Sequence, residues 1–121
     1  PDILEGLLGW LPGRLDGCPV VATRPEQPDE VPGRFVLLVQ AGGAGRNHHL
    51  YGWQVVAYCF AGTAADAMAL AESVDEAMYG CPSESSLPVA RVSGTAPQPS
   101  PDPDVPLSRC EATYQLTVLV Q

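Results

Sequence analysis

The chain has 121 residues, a common size for one domain, and its 14 acidic residues against six arginines give a net charge of −8. Nonspecific binding of nucleic acid requires a basic patch that neutralises phosphates, and this sequence has no run of basic residues. No apolar run approaches the roughly 20 residues that span a bilayer, and the first residues lack the pattern of a signal peptide. We therefore expect synthesis in a cytoplasm and no contact with a membrane.

The first predicted element is an amphipathic helix at residues 2–15. Its apolar residues recur at steps of three and four, which places them on one helical face. They are Ile3, Leu4, Leu7, Leu8, Leu11 and Leu15. Because proline lacks an amide proton and collides with the preceding turn, Pro12 should kink or shorten the helix, which we expect to end near Pro12 or Gly17.

Three β-type segments follow this helix. A short run at residues 19–23 leads into a turn-rich loop at residues 24–33. Residues 34–40 and 53–61 are apolar on both alternating faces, which predicts two central strands that are each covered on both sides. Between these strands, residues 41–52 contain four glycines and should form a flexible hairpin-type loop.

A second helix is predicted to begin at Thr63, whose hydroxyl can accept a hydrogen bond from the amide of Asp66. Its buried stripe consists of alanines and larger apolar residues at helical spacing. The stripe comprises Ala67, Ala71, Val74 and Met78. Gly80 and Pro82 supply the predicted stop signal.

The last third of the chain is predicted to contain two strands. Residues 89–95 form the weaker one, and residues 96–106, with five prolines, should form an extended arm. From Cys110 to the end, apolar residues alternate with more polar ones, which indicates a strand with one buried face. The sequence therefore predicts one α+β domain over residues 1–121, with two helices packed on a mixed, mainly antiparallel sheet in the order α-β-β-β-α-β-β.

No residue pattern in the chain indicates a catalytic, cofactor or metal site. Adjacent side chains of an extended segment point to opposite sides, so His48 and His49 are interpreted as solvated loop residues. The glycines at residues 42–45 precede a strand, whereas a phosphate loop requires a following helix. The acidic pairs Asp75–Glu76 and Asp102–Asp104 are interpreted as solvated charges. We therefore expect a protein that is not an enzyme.

The four cysteines have long and irregular separations and no C-x-x-C pair. Free cysteine packs as a small apolar residue, and a reducing cytoplasm disfavours disulfides. We interpret all four as buried thiols, with a disulfide as the alternative. They are Cys18, Cys59, Cys81 and Cys110.

The whole chain resembles the small tail terminator, or tail completion, proteins of long-tailed bacteriophages that infect actinobacteria. The resemblance rests on an opening amphipathic helix followed by three stretches whose order and spacing match. These stretches are CPVVATRPEQPDEVPGRFVLLVQAGG, WQVVAYCFAGTAADAMALAESVDEAM and CEATYQLTVLVQ. None of them is a catalytic fingerprint. The Lys-free composition, rich in alanine and proline, is also typical of a host with a high GC content.

This resemblance implies a virion protein that forms a ring, usually a hexamer, at the head-proximal end of the tail tube. Such a ring ends polymerisation of the tube and offers a surface for the head-closure or neck protein, while DNA passes through its lumen without specific binding. We expect the loops to contact neighbouring subunits or the tube protein. The candidate contact residues are Arg24, Glu26, Asp29, Glu30, Arg46, His48, His49, Tyr51, Asp102 and Asp104.

Two other functions are compatible with the residues. A head-closure or neck protein shares the ring habit and differs in the surface to which it docks. A small-molecule-binding α/β domain is the alternative from another class, with a pocket between the sheet and the first helix. Trp10, Trp53 and Tyr58 are the candidates to line that pocket, although such aromatic residues more often fill a core.

Overall fold

The computed structural model describes residues 2–25, 32–42 and 49–120. The predicted order of helices and strands is confirmed, with one additional two-residue strand in the proline-rich segment. The elements are α1 (Ile3–Arg14), β1 (Val20–Val21), β2 (Phe35–Gln40), β3 (Leu50–Ala61), α2 (Ala64–Glu84), β4 (Val89–Gly94), β5 (Gln98–Pro99) and β6 (Ser108–Leu119). The protein therefore has the predicted α+β fold.

The six described strands form one mixed sheet in the order β1-β2-β3-β6-β4, and β5 also pairs with β6. Strands β1 and β2 are parallel, and the other described pairs are antiparallel. Strands β3 and β6 form the centre of the sheet, paired from Leu50 with Leu119 to Ala61 with Ser108. Because β6 pairs with β3 along its whole length, apolar and more polar residues alternate regularly through residues 110–120.

Helix α1 begins and ends where the sequence predicts. The Asp2 carboxylate accepts a hydrogen bond from the Glu5 amide at 3.2 Å, which satisfies one of the free donors of the first turn. After Arg14 the chain turns through Gly17, whose φ of 78° favours glycine. Leu7 and Leu11 are fully buried, so the apolar face faces the core.

Helix α2 has the predicted start and the predicted buried stripe, but its end lies beyond the predicted stop. The Thr63 hydroxyl accepts from the Asp66 amide at 3.1 Å. The helix continues past Gly80 and Pro82 to Glu84, so that stop signal was wrong. The fully buried Cys81 extends the apolar face by one turn, and the Ser85 hydroxyl donates to the Cys81 carbonyl at 2.7 Å. This packing outweighs the local preference of proline.

Both helices pack on the same face of the sheet. Their apolar residues and the inward residues of β3 and β6 form one cluster, the main core. On the opposite face, Gln54, Val56 and Tyr58 of β3 are only half-buried, so the prediction that β3 is covered on both sides was wrong. Strand β2 is buried from Phe35 to Leu38 and exposed at Val39 and Gln40. A single helix layer leaves the second face of the sheet partly uncovered.

Candidate functional site

The second face of the sheet is closed at one end by residues 100–107, here called the strap. Phe35, Leu37 and Phe60 form a small buried cluster there, and Val105 and Leu107 of the strap pack against it. The rings of Phe35 and Phe60 stack with centroids 4.5 Å apart. The proline-rich segment was predicted to be an extended arm. In the structure it pairs with β6 through β5 and then crosses this apolar cluster.

A buried carboxylate holds the strap against the sheet. Asp102 is 8% exposed, and its Oδ2 atom accepts hydrogen bonds from Arg24 and, at 3.4 Å, from Arg109. Its Oδ1 atom accepts from the Asp104 amide at 3.0 Å. The interpretation of Asp102 as a solvated charge was therefore wrong. A carboxylate is buried at this position because two guanidinium groups compensate for the lost hydration.

Arg109 at the start of β6 is a structural residue that the sequence patterns did not identify. Its guanidinium lies over the Tyr58 ring, 4.7 Å from the centroid, and donates to the Ser100 hydroxyl at 3.1 Å. Arg109 thus bonds both to the strap and to an aromatic residue of β3. Its position one residue before the buried Cys110 places it on the second face of the sheet. This alternation is the sequence feature that could have identified it.

The predicted contact residues do not form a single site among those described. Arg24 and Asp102 bond to each other within the chain. Asp104 is exposed on the strap, and Tyr51 is half-buried against the main core. The His49 carbonyl accepts from the Val120 amide at 2.8 Å. The other candidates lie outside the described residues, namely Glu26, Asp29, Glu30, Arg46 and His48.

Beyond the strap, the second face of the sheet forms a surface that we call the open patch. Its side chains are half-buried or exposed, and neighbouring strands bring them side by side in the pairs Val39–Val56, Gln54–Gln115 and Arg91–Thr117. The patch comprises Val39, Gln54, Val56, Arg91, Ser93, Thr113, Gln115 and Thr117. Arg91 is the one charged residue among these eight.

Charge is distributed unevenly between the helical layer and the second face. Residues 2–17 and 63–85, which contain the helices and their caps, include eight acidic residues and one arginine, Arg14. On the second face and the strap, three arginines are balanced by Asp102, Asp104 and Glu111. The helical layer therefore carries all of the net negative charge of the described residues.

The four cysteines are free and buried, as predicted. Burial, with smaller contributions from the neighbouring thiols Cys110 and Cys18, raises the pKa of Cys59 to about 12. A protonated thiol is a weak nucleophile and a weak metal ligand. Within the described ranges, no group of three or more His, Cys, Asp or Glu residues is placed to hold a metal ion.

The three aromatic residues proposed to line a ligand pocket do not share one. Trp10 and Trp53 lie on the helical side of the sheet, whereas Tyr58 lies on the second face against Arg109. The prediction that Tyr58 lines the same pocket was wrong, because adjacent residues of a strand point to opposite faces and Tyr58 is out of phase with Trp53. A separate groove of about 700 Å³ lies at the end of the sheet, with Arg34 and Asp66 among its lining residues.

A scan against protein-family models and a search of curated proteins each find no match to this chain. In the part of the chain that the structure describes, no helix combines the length and the apolar character needed to cross a membrane.

Proposed function

We propose that this protein is a structural virion protein, a tail terminator that forms a ring at the head-proximal end of a bacteriophage tail tube. The ring ends polymerisation of the tube and provides the surface for head attachment. The observation that carries the proposal is the two-layer fold, in which the helices cover one face of the sheet and leave the open patch on the other. A subunit of this kind has a complete core of its own and also a sheet surface that can contact a neighbouring subunit.

The order of elements supports the same proposal. The resemblance to tail terminators depends on an opening amphipathic helix, strands, an alanine-rich helix and a closing strand, and the fold has these elements in this order. The ring, expected to be a hexamer, would contact the tail tube protein on one side and the head-closure or neck protein on the other. We place it in the virion, after assembly in the host cytoplasm.

The charge distribution is compatible with passage of DNA through such a ring. Eight acidic residues lie in or beside the helices, and negative charge repels phosphates. If α1 and its ends lined the lumen with the exposed acidic residues Asp2, Glu5 and Asp16, DNA would slide past without specific binding. The proposal requires no cofactor and no catalytic residue.

The first test is the mass of the purified protein in solution, measured by size-exclusion chromatography with light scattering at several concentrations. A ring of six subunits has six times the chain mass of 12.7 kDa. The second test adds the protein to tail tube subunits that are polymerising and measures tube lengths by electron microscopy. We expect shorter tubes with a ring at one end, relative to tubes grown alone. Unchanged tube lengths, with no density added at the tube ends, would contradict the proposal.

A further inference from the structure

The open patch contains an arginine that has no acidic partner within the described residues. Four of the five described arginines bond to a carboxylate or a main-chain carbonyl of the chain. The bonded pairs are Arg14–Glu84, Arg24–Asp102, Arg109–Asp102 and Arg34 with the Leu15 carbonyl. Arg91 is exposed on β4 and makes no such bond in the ranges that the structure describes. Since no described acidic residue pairs with Arg91, its exposed guanidinium can pair with an acidic residue of another subunit.

The outer face of α2 has the complementary character. Glu72 and Glu76 are exposed and lie one helical turn apart, and neither forms an ion pair among the described residues. Like charges at this spacing repel each other and destabilise a helix. Tyr79 continues the row with 48% of its surface exposed. This row of two acidic residues and one tyrosine is here called the α2 stripe and consists of Glu72, Glu76 and Tyr79.

We infer that the open patch binds the α2 stripe of a second copy of this chain. The inference rests on the proposed ring and assigns the two surfaces that meet in it. Arg91 would lie against Glu72 and Glu76 of the neighbour, and the apolar Val39 and Val56 supply contact area for the helix. The neighbour's helix then covers the second face of the sheet, as the chain's own helices cover the first.

This contact joins two different surfaces of the subunit and is therefore head to tail. A head-to-tail contact closes into a ring when the rotation that relates neighbouring subunits is a whole-number fraction of a full turn. The charges favour this contact over one between two open patches, which would leave the α2 stripe without a cation. Most of the open patch is uncharged, and this also suits an interface, since charged residues are depleted at interface centres.

The test uses two charge variants of the full chain and measures association by light scattering over a concentration series. Arg91→Glu changes the open patch, and Glu72→Arg with Glu76→Arg changes the α2 stripe. Each variant alone brings like charges together, so we expect the concentration for half-association to rise about tenfold or more. An equimolar mixture of the two should associate like the wild type, because both of its contacts then join opposite charges.

The control variant Glu5→Arg reverses one exposed charge on α1, outside both surfaces, as Arg91→Glu reverses one exposed charge on the open patch. It should associate at least as well as the wild type, and all variants should keep the wild-type circular dichroism spectrum and Tm. A wild type that stays monomeric, a mixture that does not recover, or a stripe variant that assembles normally would overturn the inference. The last result would indicate contact between two open patches. If the charge variants assemble like the wild type and the ring still caps tubes, only this inference is contradicted. If assembly depends on these charges but the ring leaves tubes uncapped, only the proposed function is contradicted.

Discussion

The two faces of the sheet are stabilised in different ways. On the helical side, the main core is built mostly from aliphatic residues and thiols, together with Trp53 and with Tyr114, whose hydroxyl donates to Asp75 at 2.8 Å. On the second face, a small aromatic cluster is closed by a strap whose buried Asp102 binds two arginines. The first face depends on apolar area and the second on a few directional bonds. Stability should therefore respond to different substitutions on each side.

The largest effect is expected in the main core. Leu11→Ala removes a fully buried side chain of α1 and leaves a cavity, which should lower the free energy of unfolding by about 3 kcal/mol. Urea denaturation followed by circular dichroism measures this value. Leu8→Ala, on the same helix but half-buried, is the matched control and should cost about 1 kcal/mol. Equal losses for both variants would show that α1 is not packed as described.

The strap should show an intermediate effect. Asp102→Ala removes the acceptor that Arg24 and Arg109 share, so the free energy of unfolding should fall by about 2 kcal/mol. Asp104→Ala is the control, since this exposed side chain leaves its main-chain amide in place, and it should cost less than about 0.5 kcal/mol. If Asp102→Ala were as stable as the wild type, the ion cluster would not hold the strap.

Alkaline pH should weaken the helical side of the sheet. Burial raises the pKa of Cys59 from 9.0 to about 12, so between these values the folded thiol keeps a proton that the unfolded chain loses. This contribution to stability is fully present below pH 9 and is lost as the pH rises. The loss should be about 1.4 kcal/mol per pH unit for this one group. Urea denaturation at several alkaline pH values gives the slope.

The control for the pH dependence is Cys59→Ala, which should show a shallower slope over the same range even though it loses packing at every pH. Burial and the hydrogen bond to Asp75 also raise the pKa of Tyr114, and that contribution is present in both proteins. A variant with the wild-type slope would mean that Cys59 titrates in the folded protein as it does in the unfolded chain.

Periodicity predicted the helices and strands because it depends only on neighbours along the chain. The apolar spacing of α1, the cap at Thr63 and the alternation of β6 each lie within one segment, and all three are confirmed. The end of α2 was wrong because Gly80 and Pro82 are local stop signals, whereas the burial of Cys81 depends on the rest of the fold. Tertiary packing overrides local preference where the two disagree.

The candidate surfaces were less predictable for the same reason. Asp102 and Arg24 are 78 residues apart, and no local pattern distinguishes an acid that will be buried from one that stays in solvent. The sequence likewise does not distinguish Arg91 from the other arginines, because only the fold shows which arginines have partners within the chain. Composition and periodicity were enough for the α+β class, the acidic character and the buried thiols, because these follow from residue type and near spacing. Folding decided which charges meet and which half of the second face stays open, because these depend on contacts between distant segments.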